Sequence, residues 1–177
     1  MGRPKALVQD PVEPTRTLVE RAVEVLRTSG LDPVVVVTGA SAPQVRELAE
    51  RSGALAVEAS DWSTGQSASL RAGLRALGDL DVVAACVLLV DLPDVGPDVV
   101  RRVLDTARAG RASLARAAYA SVPGHPVLIG RDHWDQAAAG AAGDRGARDY
   151  LAAHATVTVE CGDLATGRDV DTPADLT

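Results

Sequence analysis

Two runs of small aliphatic side chains constrain this 177-residue chain more than any other feature: Val34-Val35-Val36-Val37 and Ala84-Ala85-Cys86-Val87-Leu88-Leu89-Val90. A short, unbroken apolar run rich in β-branched residues is the pattern of a strand covered on both faces. Helical patterns alternate with these runs. Over 15–29, Leu18, Ala22, Val25 and Leu26 fall on one face and Gly30 stops the helix. Residues 43–52 read as a helix with Pro43 in its first turn and Gly53 past its end, followed by a strand at 54–58 and a helix at 67–77. After the second buried run, Pro97 opens a helix to about 109, strands are predicted at 113–120 and 126–129, and helices at 131–139 and 145–154. A strand at 156–160 precedes a last segment that ends in a helix start at Thr172-Pro173. Such alternation predicts an α/β fold: three layers, Rossmann-like, with a mostly parallel sheet covered on both faces. Neither a repeat nor a linker divides the chain, so one domain over 1–177 is expected.

Composition narrows the function classes. Aromatic residues are 2% of the chain and Phe is absent, while 31 Ala and 24 Val make up most of the apolar 46%, so the core must close at short element spacing. The net charge of −6 argues against a nucleic-acid partner, whose footprint would be basic. No apolar run approaches the roughly 18 residues of a membrane span. Cys86 and Cys161 lie far apart without a C-x-x-C, which excludes a zinc ribbon and suggests a reducing, cytoplasmic setting. Among 18 cations only Lys5 is a lysine.

In parallel α/β sheets ligands bind outside the carboxyl ends of the strands, so chemistry is sought just after the strands. The run 84–90 ends in Asp91-Leu92-Pro93-Asp94. A carboxylate there suits Mg²⁺, which takes one or two protein carboxylates and completes its shell with water and phosphate oxygens; by position alone Asp91 reads equally as a turn residue, and Asp94 reads better as one. Asp169 and Asp171 are two apart and share a face if extended, where their charges repel unless a cation lies between them. Thr172, Pro173 and Asp175 have the spacing of a helix cap. In the stretch 61–71, Gly65, Ser67 and Ser69 open a helix with free N–H groups and hydroxyls that suit an anion or a base edge, although a serine cap is common. His125 stands between Gly124 and Pro126 in what reads as a rigid turn. Asp144 reads as the cap of a helix that places Arg145 and Arg148 on one face, a phosphate grip or a solvated surface. Gly2, Arg3 and Lys5 offer two cations beside a glycine.

Taken in order, these segments resemble the nucleotidyltransferases of molybdenum cofactor maturation, the MobA-like group, and within it the cytidylyltransferase branch. The likeness is carried by MGRPKALV (1–8), DWSTGQSASLRAGL (61–74), LLVDLPDV (88–95), VPGHPVLIG (122–130), GDRGARDYL (143–151) and DVDTPADL (169–176). It implies the nucleotide-diphospho-sugar transferase type of fold. One departure stands out. The family opens with a buried strand and a loop of the form L-A-A-G-x-G-x-R running into R-M-G-x-x-K, and this sequence starts at that loop's methionine, so Met1 is expected to be an internal residue of a longer reading frame or the start of a truncated form.

The resemblance implies that Gly2, Arg3 and Lys5 lie over the nucleotide phosphates, with Arg3, Lys5 and Asp91 as the catalytic set. It implies that Gly65, Ser67 and Ser69 bind base and ribose, and that Asp91, Asp171 and less firmly Asp169 hold Mg²⁺. Gly124, His125, Asp144, Arg145 and Arg148 would face the acceptor. The implied reaction is in-line attack by a phosphorylated acceptor, a pterin of the molybdenum cofactor type, on the α-phosphorus of an NTP, CTP before GTP, with pyrophosphate leaving. A molybdoenzyme under maturation would be the protein partner. Three other readings stay open: transfer to a different phosphorylated acceptor such as phospholactate or a sugar phosphate, a non-catalytic nucleotide-binding remnant, and a redox flavoprotein. The last is disfavoured because no G-x-G-x-x-G follows a strand and stacking aromatics are scarce.

Overall fold

The computed structural model describes residues 4–169. Its strands are β1 (Val35–Thr38), β2 (Leu55–Glu58), β3 (Ala84–Val87), β4 (Leu114–Tyr119), β5 (Val122–Gly130) and β6 (Val157–Glu160). The helices are α1 (Leu18–Thr28), α2 (Ala42–Arg51), α3 (Gln66–Gly78), α4 (Pro97–Ala107), α5 (Trp134–Gly140) and α6 (Arg148–Ala153). Local chemistry explains the boundaries of α1. Glu20 Oε2 accepts the Thr17 amide at 2.7 Å to close a capping box, and Gly30 leaves the helix at φ +84°, where a Cβ would be strained. The helix start expected at Thr172-Pro173 lies outside the described residues.

The sheet departs from the expectation of a mostly parallel one. β1 and β2 pair in parallel, and a second sheet runs β3-β5-β4-β6, with β4 and β6 parallel but β5 antiparallel to both its neighbours. The reason is a two-residue hairpin. Tyr119 pairs with Val122, and Ala120 and Ser121 between them both take positive φ (50° and 67°), as this tight turn requires. Neither residue is a glycine or asparagine. The turn is held instead from outside, because Glu160 at the end of β6 accepts the amides of both Ala120 and Ser121 at 2.9 Å.

The layers follow from burial. One face of the four-stranded sheet packs Ala115, Ala117, Leu128 and Val159 against Val99 and Val103 of α4, with Cys161 in the same cluster and Cys86 against it. The other face packs Ala85, Leu114, Val127 and Ile129 against Leu74, Trp134, Ala137 and Leu151 from α3, α5 and α6. Alanines at the sheet positions let helices approach closely, which is how a core without Phe fills. Both cysteines are free thiols, and burial pushes the Cys86 thiol up to about 12.

Two strands that face the chain's middle remain one-sided. Among the described residues β1 pairs only with β2, and β3 only with β5. α3 packs over both: Gly73 lies against Val37 of β1, while Leu74 shares a cluster with Ala85 of β3. The N-terminal segment bridges the same two sheets. Ala6 and Leu7 pack with Val19, Val36 and Val45, and Lys5 reaches the turn beyond β3. A buried charge network secures this segment. Asp10, 0% exposed, accepts the Val12 amide at 2.9 Å and Arg16 Nε at 2.7 Å, with Arg21 Nε at 3.6 Å.

Candidate active site

The site is built at the end of the sheet where β3, β4 and β6 finish. The buried run ends early as a strand: β3 stops at Val87, and Leu88-Leu89-Val90 carry the chain on to a turn at Asp91. Asp91 Oδ2 accepts a hydrogen bond from Lys5 Nζ at 2.8 Å across 86 residues of sequence. Its second oxygen, Oδ1, is buried and has no hydrogen-bond partner among the described residues. A buried carboxylate oxygen left unmatched is costly unless something outside the chain uses it. It is a hard, negatively charged ligand of the kind that a small divalent cation prefers. Among the described residues no group of three or more His, Cys, Asp or Glu side chains converges to hold a metal.

Asp94, one turn on, has a different task, as a turn residue should. Its Oδ2 accepts the Thr166 amide and hydroxyl, each at 2.6 Å, and the Gly167 amide at 3.2 Å. The Tyr119 ring completes this clasp. A Cβ on Gly167 would stand 2.2 Å from Tyr119 Cδ2 and one on Gly124 would stand 2.9 Å from Cε2, so the ring fits between two glycines. The Tyr119 hydroxyl donates to the His125 carbonyl at 2.6 Å. The chain is thus pinned immediately before Asp169, which is exposed. Asp171, like Gly2 and Arg3, lies outside the described residues.

His125 is not in a turn, contrary to the sequence reading. It lies within β5, four residues past Ser121, the second residue of the hairpin turn. Burial pushes its imidazole down to about 4, with the Asp91 carboxylate opposing that shift and Arg148 adding to it. At neutral pH the ring is therefore uncharged, and it lies within electrostatic reach of both groups.

The arginine pair is also arranged differently. Gly143–Arg145 form a 3-10 turn, Gly146 breaks it at φ +51°, and α6 starts at Arg148, so Arg145 and Arg148 do not share a helix face. Arg145 pairs with Asp149 on α6. Asp144 caps no helix of its own, but reaches across to the start of α3, where its Oδ1 accepts the Gln66 amide at 3.4 Å. Gly65 makes this approach possible: at φ +111°, its Cβ would stand 2.5 Å from the Gly143 carbonyl carbon and 2.6 Å from Asp144 Oδ1. The two glycine-rich blocks therefore meet. Ser67 is 2% exposed in the first turn of α3, whereas Ser69 is half-buried. The structure thus joins Lys5 with Asp91, puts His125 within electrostatic reach of Asp91 and of Arg148, and joins Gly65 with Asp144. Sequence reading missed Asp10 and Arg21 altogether, since nothing in their spacing marks a pair that becomes buried.

Residues 1–157 match the family model described as the MobA-like NTP transferase domain. The chain is 37% identical over 182 aligned positions to nicotine blue oxidoreductase of Paenarthrobacter nicotinovorans, covering 97% of this chain and 86% of that one. It superimposes on the Rv0371c protein of Mycobacterium tuberculosis, in a complex with manganese, with a TM-score of 0.76 and 26% identity over 97% of this chain and 88% of that one. The molybdopterin-guanine dinucleotide biosynthesis protein A of Archaeoglobus fulgidus shares the fold, with a TM-score of 0.66 at 21% identity over 99% of this chain and 88% of that one. No helix among the described residues is long and apolar enough to cross a membrane. The chain belongs to the MobA-like NTP transferase domain family, with the α/β fold of nucleotidyltransferases.

Proposed function

We propose that this protein is a divalent-metal-dependent nucleotidyltransferase that moves a nucleoside monophosphate from an NTP, CTP first, to a phosphorylated acceptor of the molybdopterin type, with release of pyrophosphate. The observation that carries the reading is the unmatched buried oxygen of Asp91, held in place by the lysine paired to its other oxygen. A Mg²⁺ or Mn²⁺ ion bound there would neutralise triphosphate charge and orient the α-phosphorus for in-line attack. Arg3 and Lys5 would balance charge on the departing pyrophosphate, with the Gly2 amide beside them. Gly65 and Ser69 line the start of α3, where base and ribose would sit; Ser67, being buried, would shape that turn from within. Gly124, His125, Asp144, Arg145 and Arg148 would receive the acceptor, the uncharged imidazole serving as a hydrogen-bonding group. Asp171 and Asp169 would complete the metal shell. The chemistry needs no covalent enzyme intermediate: its work is positioning and charge neutralisation.

The domain is proposed as one unit over 1–177. The test of the function is pyrophosphate release from a panel of NTPs with molybdopterin as acceptor, with and without Mg²⁺. The expected result is metal-dependent release that favours CTP and is abolished by Asp91→Ala, without change in the far-ultraviolet circular dichroism. Release by Asp91→Ala at the wild-type rate would remove the assignment.

A second reading rests on the Paenarthrobacter relative, named as an oxidoreductase at 37% identity. In it the same crevice would hold a nicotinamide dinucleotide by its phosphates and reduce a flat aromatic substrate. Consumption of NADH or NADPH with such a substrate, and no pyrophosphate from any NTP, would favour it.

A further inference from the structure

Aromatic residues are so few here that each can be asked what it does. Trp134 is 6% exposed, its Nε1–H donates to the Ile129 carbonyl at 2.9 Å, and the Arg131 guanidinium lies over its ring. Tyr119 is clasped between two glycines with its hydroxyl bonded, and Tyr150 stacks on His154 and bonds His133 Nδ1 at 2.8 Å. Trp62 alone has no such employment. It is 46% exposed, and among the described residues its indole N–H has no partner. Exposure of a large aromatic costs hydrophobic free energy that an alanine- and valine-rich chain could have avoided with a smaller residue.

Its position is nevertheless prepared. Trp62 sits in a 3-10 turn (Trp62–Thr64) between β2 and α3, and rests on Gly39 just past the carboxyl end of β1. A Cβ at Gly39 would stand 2.8 Å from Trp62 Cγ and 3.2 Å from Cδ2, so the glycine is what lets the indole lie down at this point. The Trp62 carbonyl accepts the Gly65 amide at 3.1 Å, which ties the ring to the loop that meets Asp144. One side of the indole is thus seated on backbone at the ligand-binding end of the sheet, and about half of its surface stays open.

We infer that Trp62 is a stacking platform for a planar heteroaromatic ring of the ligand. The inference rests on the nucleotidyltransferase reading for its first source of such a ring, the nucleobase of the NTP; the flat ring of the acceptor is the second source. Stacking on an indole is tolerant of ring identity and is worth a moderate share of affinity, so it would add hold without choosing the base.

The test uses the full chain and Trp62→Leu, which exchanges an exposed side chain. The difference between their emission spectra isolates Trp62 from the buried Trp134. Three probes are titrated, CTP, tripolyphosphate and unphosphorylated pterin, and binding is measured in parallel by calorimetry. The expected result is quenching of Trp62 emission by CTP but not by tripolyphosphate. Trp62→Leu should weaken CTP roughly 5- to 150-fold and leave tripolyphosphate unchanged. Quenching by pterin alone, with no CTP binding, keeps the platform and defeats the nucleotide reading. CTP or pterin binding with unchanged Trp62 emission and equal affinity for Trp62→Leu overturns the platform while leaving the transferase reading intact. Absence of quenching by every ring-bearing probe also overturns it.

Discussion

Replacing Asp10 by alanine should be among the most damaging single changes in the N-terminal third of the protein. Asp10 is wholly buried, and its two oxygens satisfy the Val12 amide at 2.9 Å and Arg16 Nε at 2.7 Å. Arg21 lies alongside at 3.6 Å with its Nε already lacking a hydrogen-bond acceptor, and burial holds its guanidinium below the ordinary value while Asp10 opposes that shift. Removing the carboxylate strips Arg21 of the opposing charge that offsets its desolvation. Breaking one side of a buried pair costs about 3–5 kcal/mol. For a domain of this size that is a fall in Tm of roughly 6–20 °C. Arg16→Ala should cost about 1–3 kcal/mol, less than Asp10→Ala, because it leaves the buried Asp10 Oδ2 facing only Arg21 Nε at 3.6 Å while Arg16 itself is partly exposed. Urea denaturation of the two single variants and the double variant gives the coupling. A loss below about 1 kcal/mol for Asp10→Ala would refute the claim that this network secures the segment carrying Lys5.

Two further outcomes follow from the geometry. His125 has its pKa lowered in the folded protein to about 4, so the unfolded chain binds the extra proton between about pH 6.5 and 4, and stability present above pH 6.5 is lost as pH falls through that window. From pH 7 to 5 the loss is about 2 kcal/mol by that linkage, measured in metal-free buffer as the difference between wild type and His125→Gln; equal pH profiles would contradict it. Gly65→Ala meets the Gly143 carbonyl and Asp144 at 2.5–2.6 Å and forces a Cβ to φ +111°, so it should cost about 1–3 kcal/mol and separate the two loops, read by thermal denaturation and by faster exchange of the Gln66 amide.

What could be read from the sequence was what local chemistry decides. The stops at Gly30 and Gly53, the proline-led starts of α2 and α4 and the apolar runs that form β1 and β3 all follow from short-range rules, and so did the carboxylate at Asp91 that ends the second run; the expected burial on both faces did not, since only Thr38 of β1 and Ala85 of β3 are fully buried. Antiparallel β5 could not be read, because its hairpin turn lacks glycine or asparagine and borrows a carboxylate from Glu160, 39 residues away. The meeting of Gly65 with Asp144 was hidden for the same reason: Asp144 looked like a cap for the helix after it and instead serves the start of one 78 residues earlier. Arg145 and Arg148 were misjudged because Gly146 interrupts the helix between them. Asp10 and Arg21 carry no pattern, since two charges on a polar stretch give no sign that folding will bury them.

The proposed transfer depends on Asp91 Oδ1 anchoring a divalent ion. Titration of Mn²⁺ into metal-free wild type and Asp91→Asn, followed by the loss of the free-ion paramagnetic signal, tests this directly. A single site in the wild type, weakened at least roughly 10-fold in the variant, is the predicted result. Equal Mn²⁺ affinity in the two proteins would contradict it.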